Sequence, residues 1–286
     1  METSTYARWF RGSTPYISAH RNKTFVMLIP GEAFEHVNLS NMVHDLALLH
    51  VLGVRLILVH GGRPQIEQAL PESFYHGHRR VTDELAMSTI TAVNGQLRTR
   101  LEALFSTGLP NSPLHKVDIP VIAGNFITAQ PMGILDGVDH LFTGSVRRVE
   151  TRRIKNSLDG GALIIQSPVG YSPSGQVFNL PAEEVAAEIA IALQADKLIF
   201  FDEVAHLSDD QGQRISTVTP ASLEQALATT DNANATRLGY LQQAVRRGVT
   251  KSHLVPFTDD GALLAELFTA EGIGTQVVEQ QLSLIH

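Results

Sequence analysis

Three short clusters in this 286-residue chain combine residue types that can hold a small anion or carboxylate. The first is His60-Gly61-Gly62-Arg63-Pro64. Two glycines let backbone amides approach an anion closely, and a helix opening after them adds the partial positive charge of its N-terminus. A tight strand-to-helix turn also needs glycine on its own account, so both readings stand. The second cluster, Arg79-Arg80-Val81-Thr82, offers a guanidinium fork to a carboxylate, or else two surface arginines ahead of a helix. The third, Asn179-Leu180-Pro181-Ala182-Glu183, sets an amide and a carboxylate around a helix start, as ligand contacts or as a cap. Other constellations fail on spacing. His76-Gly77-His78 has no further ligand nearby in sequence, so no metal site is expected. Ser167 lacks a G-x-S-x-G elbow, and there is no Walker lysine loop and no G-x-G-x-x-G.

These clusters need a scaffold, and the apolar pattern supplies one. Hydrophobic residues make up 43% and charged residues 18%, values of a folded globular chain rather than a disordered one. The absence of cysteine excludes disulfides and thiolate chemistry, and a net charge of −7 gives no basic field for nucleic acid. No apolar run approaches the roughly 20 residues that span a bilayer. Phe25–Ile29 reads as a buried strand, Leu39–Leu52 as a helix stopped by Gly53, and Val54–Val59 as a second strand, a parallel βαβ unit. A long helix follows Thr82, with Asp83 and Glu84 in its first turn. Strands are expected at Val117–Ala123 and Phe126–Ala129, with a second α/β cycle from Ala162 through Pro181 to Phe201. Ser167–Gln176 reads as turns, Gln211–Arg214 as a hairpin tip, and Leu238–Val245 as a helix. A strand His253–Phe257, a helix Gly261–Phe268 and a strand Thr275–Val278 close the set. In open sheets of this kind ligands bind beyond the carboxyl ends of the strands, where the three clusters fall. Tyr6, Trp9, Phe10, Tyr16 and Ile17 place aromatic and apolar area ahead of the first strand, either packed on their own domain or serving as an oligomer arm.

Phe25–Gly31, Leu58–Gly62, Arg80–Thr82, Phe178-Asn179 and Gly272–Thr275 lie in the order of the acetylglutamate kinases. Thr14–Arg21, Asp136–Asp139, Ser167–Gly175 and Asp260–Phe268 extend the likeness, and the chain resembles still more the N-terminal half of bacterial two-domain N-acetylglutamate synthases. The resemblance implies a three-layer α/β/α sandwich with a mainly parallel sheet, of amino-acid kinase fold. It implies an oligomerisation arm over residues 1–20, a kinase-like domain over 21–280, and a tail at 281–286 where an acetyltransferase domain would start. Kinases of this fold carry a phosphate-holding lysine and Gly-Gly at the end of the first strand; Leu28 and Pro30-Gly31 stand there, and the second lysine aligns near Thr236-Arg237. The resemblance therefore implies a regulatory domain without cofactor, metal or kinase chemistry of its own. It implies L-arginine as inhibitor, at Tyr16, Lys197, His253, Glu266, Gly272 and Gly274, with Glu266 as carboxylate fork and the glycine carbonyls as further acceptors. A vestigial acetylglutamate-like pocket is implied at Gly61, Gly62, Arg80 and Asn179. The full-length enzyme of that family takes acetyl-CoA and L-glutamate to N-acetyl-L-glutamate, as a cytoplasmic homohexamer with no nucleic-acid or membrane partner. The alternative is an acetylglutamate kinase, with Glu183 where that enzyme carries an aspartate.

Overall fold

The computed structural model describes residues 2–203, 206–228 and 233–279. Helices α1 (Thr3–Gly12) and α2 (Thr14–His20) lead into β1 (Thr24–Ile29), α3 (Leu39–Val51), β2 (Arg55–His60) and α4 (Arg63–Ala69). A hairpin of β3 (Tyr75–His76) and β4 (Arg79–Arg80) precedes α5 (Glu84–Phe105). Next come β5 (Val121–Ile122), β6 (Ile127–Pro131), a hairpin of β7 (Ile134–Leu135) and β8 (Val138–Asp139), β9 (Gly144–Val149) and α6 (Thr151–Asp159). The second cycle is β10 (Leu163–Gln166), β11 (Val169–Tyr171), β12 (Val177–Asn179), α7 (Ala182–Leu193) and β13 (Lys197–Asp202). The chain closes with a β14 (Leu207–Ser208) and β15 (Arg214–Ile215) hairpin, β16 (Thr217–Val218), α8 (Pro220–Leu227), α9 (Ala233–Arg246), β17 (Lys251–Pro256), α10 (Ala262–Phe268) and β18 (Thr275–Val278).

Eight strands form the main sheet in the order β16-β18-β17-β13-β1-β2-β10-β5, parallel throughout except between β17 and β18. The expected βαβ unit is parallel in register from Thr24 opposite Arg55 to Ile29 opposite His60. Alternate residues of β1 feed two cores: Phe25, Met27 and Ile29 pack with α3 and α5, Val26 and Leu28 with α7 and α9. Helices on both faces make the three-layer sandwich, and burial of both strand faces is why β1 and β2 read as unbroken apolar runs. A four-stranded sheet, β12-β11-β6-β9, lies beside the main one.

Several elements differ from expectation. The strand expected at Val117–Ala123 shrinks to Val121–Ile122, because Pro120 has no N–H to give a ladder. The turn region Ser167–Gln176 contains β11, paired with β12 and β6. Helix α8 escaped notice although Thr219-Pro220 announces it: the Thr219 hydroxyl accepts from the Ser222 amide and proline sits in the first turn. The N-terminal segment is two helices. None of the α1 residues is buried, and Tyr6, Trp9 and Phe10 are exposed, whereas His20 of α2 is buried against the Leu267 carbonyl at 2.6 Å. The expected tail, 281–286, lies outside the described residues.

Candidate functional site

The carboxyl ends of β1 and β2 open into a cavity of about 150 Å³ that brings Gly61, Gly62, Arg80 and Asn179 together. Close approach favours glycine here: a Cβ on Gly31 would lie 2.7 Å from Pro64 Cδ, and one on Gly61 would lie 3.1 Å from the Gly31 nitrogen. Arg80 donates to the Ser73 hydroxyl and, at 2.6 Å, to the Tyr75 hydroxyl, with its guanidinium 4.9 Å over the Tyr75 ring. Asn179 Nδ2 donates to Thr82 Oγ1 at 3.3 Å, Thr82 pairs with Thr143 at 2.8 Å, and the Thr143 hydroxyl donates to the Arg80 carbonyl. One hydroxyl relay thus ties the second and third sequence clusters together. Beneath them His60 is buried, and burial brings its pKa down to about 4 against the support of the Gly61 carbonyl. The neutral ring donates from Nδ1 to that carbonyl at 2.9 Å and accepts at Nε2 from the Ser167 hydroxyl at 2.7 Å.

The β1 end of this cavity is not built for a polyphosphate. Leu28 is core, Pro30 has no amide to donate, and Arg237 is already committed: its guanidinium contacts Asp202 and stands 3.8 Å from Glu183. Burial works against the Arg237 charge, but the Asp202 carboxylate, then Glu183 and Glu32, outweigh it and raise its pKa. Three carboxylates around one guanidinium leave this end net negative. Basic side chains line the other end, where Arg63 and Arg80 stand beside Arg79, itself 3.8 Å from Glu184.

A second cleft, about 440 Å³, opens between α2, β13, β17 and α10 and brings together Tyr16, Lys197, His253, Glu266 and Gly272. Its floor is a relay. Lys197 Nζ lies 3.2 Å from His253 Nε2, and His253 Nδ1 lies 2.8 Å from Glu266 Oε1. Glu266 Oε2 accepts the Ile273 and Gly274 amides at 2.7 and 2.9 Å. Burial pushes Glu266 upward, yet the His253 contact and the two amides prevail and hold its carboxyl at about 2. Burial sets His253 at about 4, so its ring is neutral, donating from Nδ1 and accepting the Lys197 ammonium at Nε2. Burial and the neighbouring Lys251 lower Lys197 to about 8, opposed by Glu266 and Asp196. Gly272 has φ 60, and a Cβ there would meet Glu266 Oε2 at 2.5 Å. Two expectations need amending. Glu266 is not an empty fork, since three protein donors already occupy it. Gly274 stands behind the cleft, with its amide on Glu266 and its carbonyl accepting from Arg214 at 2.8 Å. Lys23, Asp196, Lys251 and Glu271 also line the cleft, and sequence reasoning missed them. Their signal was charge near strand starts, which surface residues share. The cleft therefore presents both signs of charge.

The profile of the amino acid kinase family matches residues 23–254. The amino-acid acetyltransferase of Azotobacter vinelandii is 45% identical over 284 residues, covering 96% of this chain and 65% of its own length. N-acetylglutamate synthase from Neisseria gonorrhoeae complexed with coenzyme A and N-acetyl-glutamate is similar at TM-score 0.88 and 30% identity, over 97% of this chain and 64% of that one. The same synthase complexed with coenzyme A and L-arginine gives TM-score 0.87 and 30% identity, over 96% and 66%. The chain thus spans slightly under two thirds of the acetyltransferase it matches. With the profile running from the start of β1 into β17, and with this sheet order, the chain belongs to the amino acid kinase family.

Proposed function

We propose that this chain is the kinase-like, arginine-sensing regulatory part of an N-acetylglutamate synthase. That enzyme converts acetyl-CoA and L-glutamate to N-acetyl-L-glutamate and CoA, the first step of arginine biosynthesis. The observation that carries the reading is the two-signed cleft around Lys197, His253 and Glu266. Arginine carries one carboxylate and two cations. Its carboxylate suits the Lys197 ammonium, and its guanidinium suits the remaining lone pair of Glu266 Oε1, with Glu271 and the Gly272 carbonyl beside it. Tyr16 would close the cleft from α2, so occupancy biases the placement of α2 and of α1 beyond it, and through them the acetyltransferase activity. L-arginine acts as inhibitor. The acetyl transfer itself, with its coenzyme A and glutamate sites, is assigned to the part of the longer relatives outside the matched span. This chain takes no cofactor of its own. The reading further assigns it to a cytoplasmic homohexamer, with the exposed Tyr6, Trp9 and Phe10 of α1 on a neighbouring copy, and with no nucleic-acid or membrane partner.

The kinase alternative would hold acetylglutamate at Gly61, Gly62, Arg80 and Asn179. It is disfavoured by Leu28, by Pro30 and by the diversion of Arg237 and Glu183 into one ion-pair cluster. Calorimetry and thermal shift test the choice. L-arginine at a hundredfold excess over its Kd stabilises a binding protein by about 2.7 kcal/mol. Arginine should raise the Tm, while Mg·ATP with N-acetylglutamate releases no ADP. No arginine-dependent heat, or sustained ADP release, overturns the reading.

A further inference from the structure

We propose that His76 and His140 form a two-histidine site for a divalent transition-metal ion of the Zn2+ class, which staples the β3–β4 hairpin to the β7–β8 hairpin. His76 ends β3 and is partly exposed, while His140 follows β8 and is 1% exposed. His76 Nδ1 lies 3.3 Å from His140 Nε2, with ring centroids 5.2 Å apart and ring planes at 64°.

The outer nitrogens decide what the inner ones present. His140 Nδ1 stands 3.2 Å from the Val138 carbonyl, which can only accept, so its proton sits there and Nε2 keeps a lone pair. His76 Nε2 stands 3.6 Å from the exposed Asp136 Oδ2; a proton on Nε2 leaves a lone pair on Nδ1, whereas a proton on Nδ1 donates to His140 Nε2. In the Nε2-protonated tautomer of His76 two lone pairs face each other across 3.3 Å, the arrangement that a metal ion between them would take up. Two nitrogens bound tetrahedrally to zinc at about 2.0–2.1 Å are separated by roughly 3.3–3.4 Å. The outer partners are those that orient metal-bound imidazoles: one carboxylate and one backbone carbonyl. Asp136 is placed for this by the hairpin tip, where it and Gly137 have φ 49 and 78.

Among the described residues no group of three or more His, Cys, Asp or Glu is arranged to hold a metal, so water completes this shell. Imidazole pairs favour zinc, copper and nickel over magnesium and calcium. His78, the other half of the His-x-His spacing, lines the central cavity instead. The partner of His76 lies 64 residues away in sequence, which is why local spacing gave no sign of it. The hairpin so fastened carries Tyr75, Arg79 and Arg80 to the wall of that cavity.

The test is titration of the chelator-stripped chain with Zn2+ by calorimetry and with Co2+ by visible absorption, with Mg2+ as control. The expected result is one Zn2+ per chain, weakened at least tenfold by His76→Gln or His140→Gln and about tenfold by Asp136→Asn. The exposed His115→Gln should leave it unchanged, a necessary control in a chain with 12 histidines. Should His140→Gln fail to fold, the partly exposed His76→Gln and the Co2+ spectrum decide. Binding that survives His76→Gln, or a pair that takes up only a proton and no metal, overturns the proposal.

Discussion

Raising the pH from 7 to 9 should weaken arginine binding through Lys197. Lys197 sits at about 8 because burial and the Lys251 charge remove more than Glu266 and Asp196 restore. With that value about nine tenths of the chains carry the ammonium at pH 7 and about one tenth at pH 9. A ligand carboxylate that needs the ammonium then sees its apparent Kd rise about tenfold. The direction follows from the depressed cation: binding at pH 8 takes up about half a proton, because the carboxylate restores the charge that burial disfavours. The α-amino group of free arginine titrates in the same interval, so the informative quantity is a difference. Lys197→Arg keeps a permanent cation and should flatten the profile relative to the unsubstituted chain. Lys251→Gln removes the like charge and should move the midpoint upward. Calorimetry between pH 7 and 9, in two buffers of different ionisation enthalpy, reads affinity and proton uptake together. A profile as steep in Lys197→Arg as in the unsubstituted chain refutes the assignment of Lys197 to the ligand carboxylate.

Acid should destabilise the fold through His60 and His253. Both sit at about 4 against an ordinary 6.5, so between those values the unfolded chain binds more protons and stability falls with falling pH. At pH 5 each costs about 2 kcal/mol relative to neutral pH; urea midpoints at pH 7.5 and 5 check this, and equal midpoints refute it. Trp9→Glu and Phe10→Glu should reduce the sedimenting mass without lowering the Tm at fixed protomer concentration below that of the isolated protomer, since α1 buries none of its own residues; an unchanged mass removes α1 from the interface. Gly144→Ala should cost about 1–3 kcal/mol, because its Cβ would lie 2.6 Å from the Gln130 carbonyl oxygen and 3.0 Å from Phe178 Cβ; an unchanged thermal midpoint shows that β6 and β9 separate more easily than their register implies.

What could be read along the chain was what local chemistry determines. Apolar runs placed β1 and β2 because both faces of a parallel strand are buried, and Asp83 marked the start of α5 because its carboxylate accepts the Ala86 amide at 2.7 Å. Strand-end reasoning gathered Gly61, Gly62, Arg80 and Asn179 because a parallel sheet brings the carboxyl ends of its strands to one edge. What stayed hidden is who partners whom across the sheet. Glu266 reads as an available carboxylate until β17 sets His253 against it and the turn before β18 folds two amides onto it. Arg237, near which the second kinase lysine aligns, reads as an unpaired cation until the end of β13 delivers Asp202 to it. Both cases follow one electrostatic rule: a charged side chain buried by tertiary structure collects counter-charges and donors, and those come from elements that no local window contains. The consequence differs between the two clefts. At the β1 end the counter-charges extinguish the site for a polyphosphate, because Arg237 has none of its charge to spare. Around Lys197 the donors go to Glu266, so the ammonium remains the group with charge to offer, and it is the group on which ligand binding should turn.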